Sequence, residues 1–243
     1  PSRLLPAIQS PLNNIGPAEL GCLIVRENTE GEYSGAGGRV HPKLPQEVGI
    51  DVSVFTRDGI ERVMRYAFEL ALTRPKKQLT LVTKSNAQRH GMVLWDEVFE
   101  NLKHDFSGIT TDKMLVDAIT TRMVLQPQSL DTIVATNLHA DILSDLAAAL
   151  SGSLGIGPTA NINPERTFPS MFEPIHGSAF DLVGKDLANP LGAFWSCVMM
   201  LEHLQENKGA SLLMSAIEEV CQEGRHLPKD LGGNSCTGEV TTE

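Results

Sequence analysis

The sequence predicts an α/β protein, because three observations along the chain agree. Short apolar runs rich in β-branched residues, at 20–25, 78–84 and 130–136, have the length and composition of buried strands. Segments with apolar residues at helical spacing alternate with these runs, the clearest being residues 56–74. The 243 residues also suffice to bury a sizeable core. Strands that alternate with helices indicate an α/β fold.

The same patterns predict the other elements and a domain boundary. Glycine and charged residues fill 26–42, as is typical of a loop, and residues 47–55 alternate in polarity as a strand does. Residues 151–190 are rich in glycine and proline and are predicted to be irregular. We therefore predict one domain over 5–150 and a second over 151–243. The predicted helices are 56–74 with Thr56 as N-cap, 88–103, 114–126, one within 137–152 after a short turn, 191–206 and 209–224.

Composition and charge narrow the classes of function. A hydrophobic fraction of 41% and a charged fraction of 21% are ordinary for a soluble globular protein. The net charge of −10 argues against nucleic acid and anionic membranes as general partners. No apolar run has membrane-spanning length, and no signal peptide is visible. The four cysteines are scattered without a C-x-x-C motif, which indicates a reducing cytoplasm rather than a disulfide framework or zinc site.

Two aspartates stand out in the stretch "NLHADILSDLAAALSG", which follows a predicted strand. Asp141 and Asp145 are four residues apart and share one helix face at the carboxyl end of that strand, where open α/β sheets bind ligands. An aspartate near a helix N-terminus commonly caps the helix or complements its dipole. Two carboxylates on one face also repel unless a cation lies between them, and oxygen ligands suit a hard divalent cation. Both interpretations remain open at this point.

Four further residues suit acid–base chemistry or ligand binding. In "VRENTEGEYSG", Arg26 could bind a substrate carboxylate and Tyr33 could deliver a proton, although a solvated loop explains the segment equally well. In "VTKSNA", Lys84 ends an apolar strand, as a catalytic base or a solubilising charge would. Asp117 lies within the apolar "LVDAIT" and is either a satisfied polar residue or a ligand.

A dinucleotide fingerprint of the form G-x-G-x-x-G is absent, so a nucleotide would need another loop. The segment "HGSAFDLVGKDLANP" is the candidate. Its glycines, Gly177 and Gly184, permit close backbone approach, and Asp181 could bind two ribose hydroxyls. Its other potential donors and acceptors are His176 and Ser178. Such Gly-Ser-Asp segments are also common in ordinary turns.

Six stretches together resemble one protein family: "VRENTEGEYS", "TKSNA", "VDA", "DILSDLAAALSGSLGI", "FEPIHGSA" and "ANP". They span nearly the whole chain in the order found in the metal-dependent β-decarboxylating dehydrogenases, which include isopropylmalate, isocitrate, D-malate and tartrate dehydrogenases. The stretches "NLHADILSD", "NPERTFPSMFEPIHGSAFD" and "AFWSCVMMLEHL" are most similar to the tartrate dehydrogenase/decarboxylases, with the D-malate dehydrogenases next. The resemblance implies an isopropylmalate dehydrogenase-like two-domain α/β fold, with mixed parallel and antiparallel sheets and helices on the faces.

The resemblance implies a role for the candidate residues. Asp141 and Asp145 match the family's divalent-metal ligands, for Mn²⁺ or Mg²⁺. Asp117 matches the third, catalytic carboxylate, which a neighbouring subunit of a homodimer supplies. Lys84 matches the catalytic lysine, which also reaches across the dimer, and Tyr33 matches the catalytic tyrosine.

The resemblance also implies how substrate and cofactor bind. Arg26 matches an arginine that binds a substrate carboxylate, and Asn86 lies where the family contacts the nicotinamide end of NAD. An aspartate at position 181 resembles the NAD-preferring members. The residues that match the adenosine-binding loop are His176, Gly177, Ser178, Ala179, Asp181 and Asn189.

The implied function is NAD-dependent, metal-dependent oxidation and β-decarboxylation of a small 2-hydroxy dicarboxylic acid such as tartrate or D-malate. Potassium activation is also a property of the tartrate dehydrogenases, although no residue signature identifies a site here. The alternatives are an isopropylmalate- or isocitrate-type dehydrogenase, or a non-catalytic regulatory subunit. The regulatory alternative is weakened because Tyr33, Lys84, Asp117, Asp141 and Asp145 are all present.

The chain departs from the family's usual pattern at several positions. His139, Ala140 and Phe180 replace residues of the usual "NLFGD" and "HGSAPD", which we interpret as marks of a subfamily. The family's first strands and helix, with a further substrate arginine, would precede Pro1, and its last helix would follow Glu243. We therefore expect a fragment that contains the substrate and dimerisation domain and the C-terminal part of the nucleotide-binding domain.

Overall fold

The computed structural model describes all residues from Pro1 to Glu243, and they form two compact units. One unit is the continuous segment Leu23–Ser144. The other combines Pro1–Cys22 with Asp145–Glu243. The domain boundary between residues 150 and 151 stays a prediction.

Nine strands form one large sheet and two small antiparallel pairs. The large sheet has the order β1-β2-β7-β5-β6, the strands β3 and β4 form one pair, and β8 and β9 form the other. The strands are β1 Ser2–Arg3, β2 Gly21–Arg26, β3 Gly37–Val40, β4 Val48–Asp51, β5 Gln78–Thr83, β6 Thr110–Leu115, β7 Thr132–Ala135, β8 Pro158–Asn161 and β9 Met171–Pro174.

Four neighbouring strands of the large sheet run parallel, and β1 pairs antiparallel with the start of β2. At the centre, Thr132 of β7 is in register with Leu23 of β2 on one side and Leu79 of β5 on the other. Every residue of β7 is buried, as expected for a parallel strand covered on both faces. The carboxyl ends of β2, β7, β5 and β6 therefore lie at one edge of the sheet.

Seven helices accompany the strands. None of them combines the length and apolar character that crossing a lipid bilayer requires. The helices are α1 Arg57–Thr73, α2 Gly91–Leu102, α3 Val116–Leu125, α4 Asn137–Leu150, α5 Leu191–His203, α6 Asn207–Glu223 and α7 Thr237–Thr242.

Helix α1 shows how local sequence sets an element boundary. The Thr56 hydroxyl accepts a hydrogen bond from the Gly59 N–H at 3.0 Å, so the predicted N-cap is confirmed. The apolar face of α1 enters the core of the unit Leu23–Ser144. There Phe68 is fully buried and its ring stacks on Phe99 and Phe106, with centroids 5.3 Å and 4.8 Å away.

Three predictions of local structure were wrong in part. The helix predicted over 114–126 begins only at Val116, because Met114 and Leu115 complete β6, which pairs along its length with β5. The segment 151–190 is not wholly irregular, since β8 and β9 pair within it. The loop predicted over 26–42 contains β3, which pairs with β4. Each of these strands is specified by pairing with another strand, close in sequence for β3 and for β8 with β9 but distant for β6, rather than by its own periodicity.

Candidate active site

The candidate catalytic residues of the unit Leu23–Ser144 follow the parallel strands directly. Arg26 is the last residue of β2, and Lys84 comes immediately after β5. Asn137 begins α4 two residues after β7, and Asp117 lies in the first turn of α3, just after β6. The parallel strand pairing therefore brings these residues to the carboxyl edge of the sheet, the usual ligand-binding edge of α/β folds.

The Arg26 guanidinium is held in place by three hydrogen bonds that it donates to two side chains of α4. Its Nε and Nη2 donate to Asn137 Oδ1 at 3.0 Å and 2.6 Å, and its Nη1 donates to Asp141 Oδ1 at 2.7 Å. Asn137 is itself fixed, because its Nδ2 donates to the Glu30 carbonyl at 3.2 Å. The planar guanidinium therefore has one defined orientation at the end of β2.

Tyr33 joins this group from the short 3-10 turn Glu32–Ser34. Its hydroxyl donates to Asp141 Oδ2 at 3.3 Å, and the Arg26 guanidinium carbon lies 5.6 Å from the centroid of its ring. Tyr33 is 56% exposed, so its hydroxyl can meet a molecule from solution. Arg26, Tyr33 and Asp141 thus form one cluster, which brings together a cation, a proton donor and a carboxylate.

The ion pair between Arg26 and Asp141 is easily exchanged for contacts to a ligand. Their side chains are 31% and 43% exposed, and partly exposed pairs contribute only about 0–1 kcal/mol. A substrate carboxylate can therefore replace Asp141 at Arg26, and a cation can replace Arg26 at Asp141, with little loss of stability.

Glu27 fixes the backbone that follows Arg26. Its buried carboxylate accepts hydrogen bonds from the backbone N–H of Thr29 at 3.0 Å and of Glu30 at 2.7 Å. The Arg62 guanidinium contributes a further hydrogen bond at 3.3 Å. A buried carboxylate with several donors is well satisfied, so this turn is a rigid support for the Arg26 and Tyr33 cluster.

Lys84 and Asp117 form a second ionic group at the same edge. The Lys84 ammonium donates to Asp117 Oδ1, and this hydrogen bond lowers the pKa of the Asp117 carboxyl below its usual 3.8, with a smaller contribution from a backbone hydrogen bond. The structure therefore places two of the predicted catalytic residues in direct contact with each other. Asn86 is exposed on the turn that follows Lys84.

His139 is a buried histidine beside these groups, on the first turn of α4. Burial lowers the pKa of its imidazole below the usual 6.5, the charge of Glu32 opposes this shift, and the charge of Lys84 adds to it. Its Nδ1 is buried and has no hydrogen-bond partner. Burial therefore favours the neutral form of the imidazole.

The carboxylates fit a hard divalent cation in their chemistry, but they do not complete a site within one chain. Asp141 and Asp145 lie one turn apart on α4 and offer the oxygen ligands that Mg²⁺ and Mn²⁺ prefer. No group of three or more His, Cys, Asp and Glu side chains in this chain could hold a metal ion. A full ligand set therefore needs oxygen atoms from a substrate, water or a second chain.

The predicted nucleotide loop lies within the other unit and is open to solvent. The His176 Nδ1 contacts the Gly177 carbonyl at 3.0 Å, and a Cβ added at Gly177 would meet nothing within 4 Å. Ala179 adopts a left-handed conformation with φ of 41°, ahead of the 3-10 turn Phe180–Leu182 that carries Asp181. The exposed members of the predicted set are His176, Gly177, Ser178, Ala179 and Asp181.

Asn189, the last member of that set, makes hydrogen bonds to other residues of the chain. Its Nδ2 donates to Asp230 Oδ2 at 2.9 Å, and its Oδ1 accepts from the Leu191 N–H at 2.9 Å, at the start of α5. The structure therefore shows Asn189 in contact with another segment and with a helix N-terminus.

Sequence reasoning missed two kinds of site residue. Asn137, which orients Arg26, has a local signal, since it follows a buried strand directly at the start of a helix. Glu32 and Gln88, which contact each other across 56 residues of sequence, have no local signal.

The whole chain, residues 1–243, matches the family described as isocitrate/isopropylmalate dehydrogenase. The chain belongs to this family. The family membership predicted from sequence is thereby confirmed, as is the α/β fold with parallel and antiparallel strand pairs. The crystal structure of isocitrate dehydrogenase from Methylococcus capsulatus has the same fold, with a TM-score of 0.90 and 36% identity. That match covers 100% of this chain and 70% of the crystal chain.

Curated members of the isocitrate/isopropylmalate dehydrogenase family are still more similar in sequence. A probable tartrate dehydrogenase/decarboxylase of Agrobacterium vitis is 64% identical over 241 residues, which is 99% of this chain and 67% of that protein. The D-malate dehydrogenase [decarboxylating] of Escherichia coli is 48% identical over 248 residues, which is 99% of this chain and 68% of that enzyme. The chain thus spans about two-thirds of the length of these relatives.

The lowered pKa of His139 predicts a pH-dependent stability. As pH falls below 6.5, the unfolded chain binds a proton at this residue before the folded chain does, so the free energy of unfolding decreases. His139→Gln is expected to flatten this decline in plots of thermal midpoint against pH. His104→Gln, at an exposed histidine, is the control and should keep the wild-type slope. Identical slopes for wild type and His139→Gln would contradict the assignment.

Proposed function

We propose that this chain is part of an NAD-dependent and divalent-metal-dependent enzyme that oxidises and β-decarboxylates a small 2-hydroxy dicarboxylic acid. The observation that carries the proposal is the cluster of Arg26, Tyr33 and Asp141 at the carboxyl edge of the sheet. The names of the relatives in Agrobacterium vitis and Escherichia coli favour tartrate or D-malate as the substrate.

Arg26 binds a carboxylate of the substrate in this proposal. Its guanidinium is oriented by Asn137, so a bidentate contact to a carboxylate needs little rearrangement. Its pairing with Asp141 is the contact that the substrate replaces. A small dicarboxylic acid bound in this way lies beside the Tyr33 hydroxyl.

The chain's own residues move the protons. Asp141 and Asp145, with Asp117 of a neighbouring subunit, would hold Mn²⁺ or Mg²⁺, which would supply a Lewis acid to polarise the substrate hydroxyl, and bound NAD⁺ would supply the hydride acceptor. Lys84, in its neutral amine form, takes the hydroxyl proton while the hydride leaves the carbon that bears the hydroxyl group. The 2-oxo acid then loses its β-carboxylate as CO₂, and Tyr33 donates a proton to the enolate carbon that remains.

NAD would bind along the exposed loop that begins at His176. Asp181, in the turn Phe180–Leu182, offers a carboxylate for two ribose hydroxyls, which is the usual basis of NAD preference. Ser178 and His176 are exposed and available for hydrogen bonds to the adenosine. Asn86, on the turn after Lys84, would contact the nicotinamide end.

The first test is the formation of NADH by the complete gene product that contains this chain. We expect turnover of D-malate, L-tartrate or meso-tartrate that depends on Mn²⁺. Arg26→Lys should raise KM about 10- to 100-fold, because lysine cannot form the bidentate contact. Arg65→Lys, at an exposed arginine of α1 paired with Glu61, is the matched control and should leave KM unchanged.

Three other results would redirect the proposal. Turnover of isopropylmalate or isocitrate alone would assign the enzyme to those dehydrogenases. A folded protein that turns over none of these acids would support a non-catalytic regulatory subunit. Equal KM values for wild type and Arg26→Lys would remove Arg26 from the substrate site.

We also propose that the protein forms a homodimer whose active sites are shared between subunits. The hairpin of β3 and β4 presents exposed apolar side chains, including Val40, Val48 and Ile50, each 46–49% exposed. A patch of this kind on a two-stranded hairpin favours a protein interface. The contact between Lys84 and Asp117 also supports a shared site, because the two residues would cross to the neighbouring subunit as one group.

Sedimentation analysis tests the homodimer. We expect a dimer for the wild-type complete gene product, and a shift toward monomer in Ile50→Asp, because a buried charge without a partner destabilises an interface. Leu212→Asp, at a residue of α6 that is 65% exposed, is the control and should remain dimeric. A wild-type monomer, or a dimer that Ile50→Asp does not weaken, would contradict the proposed interface.

We place the enzyme in the cytoplasm. The support is the set of four cysteines, which form no disulfide bond. Activation by K⁺ is a further proposal from the tartrate dehydrogenases, tested by comparing turnover in potassium and sodium buffers.

A further inference from the structure

Glu32 lies beside the candidate proton donor and contacts two distant segments. It precedes Tyr33 in the turn Glu32–Ser34. Its Oε1 accepts a hydrogen bond from the Ser53 hydroxyl at 2.8 Å and another from Gln88 Nε2 at 3.3 Å. One carboxylate oxygen therefore ties the turn of Tyr33 to two other parts of the chain.

Gln88 closes the turn that carries Lys84 and Asn86. The backbone N–H groups of Ala87 and Gln88 both donate to the Lys84 carbonyl at 2.9 Å. The Gln88 carbonyl in turn accepts from the Met92 N–H at 3.2 Å, in the first turn of α2. The side chain of Gln88 thus projects from a turn that is fixed at both ends.

The contact between Glu32 and Gln88 leaves one oxygen atom of each side chain buried without a hydrogen-bond donor. Glu32 Oε2 and Gln88 Oε1 are both buried and have no hydrogen-bond partner. Burying a carboxylate oxygen or an amide oxygen without a donor is unfavourable, and such atoms in a folded protein call for an explanation. Their position beside candidate catalytic residues favours a functional explanation over a stabilising one.

We propose that Glu32 is a positioning residue that fixes the turn of Tyr33 against the turn of Lys84. This inference rests on the proposed function, in which Tyr33 and Lys84 move the two protons. In a homodimer with shared sites, Tyr33 serves the site that contains its own Arg26 and Asp141, while Lys84 serves the neighbouring site. Within each chain, the contact of Glu32 with Gln88 then fixes the distance between the turn of Tyr33, which serves one active site, and the turn of Lys84, which serves the other.

A comparison of five variants of the complete gene product tests this role. Gln88→Met removes the donor to Glu32 with little change of volume, and it also removes the unpartnered Oε1. We expect kcat to fall about tenfold with KM within about threefold of wild type, since misplaced groups slow chemistry more than binding. The thermal midpoint should be no lower than that of wild type.

Ser53→Ala is the matched control, because Ser53 donates to the same Glu32 oxygen but carries no candidate catalytic neighbour. It should keep kcat within about threefold of wild type. Glu32→Gln should keep kcat near the wild-type value, since one amide oxygen can accept both hydrogen bonds. Glu32→Ala, which removes both acceptors, should lower kcat as much as Gln88→Met does. Combining Glu32→Ala with Gln88→Met should lower kcat no further, because both variants break the same contact.

The positioning role is overturned if Gln88→Met keeps the wild-type kcat, or if Ser53→Ala lowers kcat equally. It is also overturned if every loss of kcat follows a loss of thermal stability, which would indicate a purely structural contact. A wild-type enzyme with no turnover would instead show that the proposed function is wrong, and the inference would fall with it.

Discussion

The parallel pairing of β2, β7, β5 and β6 is the constraint on which the candidate site depends. The inner strands β7 and β5 are buried along nearly their whole length and leave no room for charged side chains, so the charged residues come at their ends. Parallel pairing then brings those ends to one edge. Arg26, Lys84, Asn137 and Asp117 lie along this one edge for that reason, although Arg26 and Asn137 are 111 residues apart in sequence.

In the protein without ligands, the charged groups of the site neutralise one another. Arg26 pairs with Asp141, and Lys84 pairs with Asp117. All four side chains retain contact with solvent, so these pairs contribute little stability and can be exchanged. The buried Glu27 carboxylate holds the backbone next to Arg26, and this combination of a rigid support with exchangeable surface charges suits a site that binds a charged acid.

Sequence alone predicts the features that local patterns control. The helical spacing and Thr56 cap predict α1, and a polar residue at the end of a buried strand identifies Arg26 and Lys84. The strand β6 escapes prediction, since Met114 and Leu115 fit a helix equally well until their pairing with β5 is known. The contact of Glu32 with Gln88 also escapes, because it depends on two turns that meet only in the folded chain.

Binding of Mn²⁺ tests the central claim, that the carboxylates of α4 hold a divalent metal beside Arg26. Electron paramagnetic resonance of free Mn²⁺ would be recorded with the complete gene product, as wild type, Asp141→Asn and Asp145→Asn. The control is Asp58→Asn, at an exposed aspartate in the first turn of α1. We predict that wild type and Asp58→Asn deplete the signal of free Mn²⁺, while the two α4 variants leave it nearly unchanged. Equal depletion by all four proteins would contradict the account.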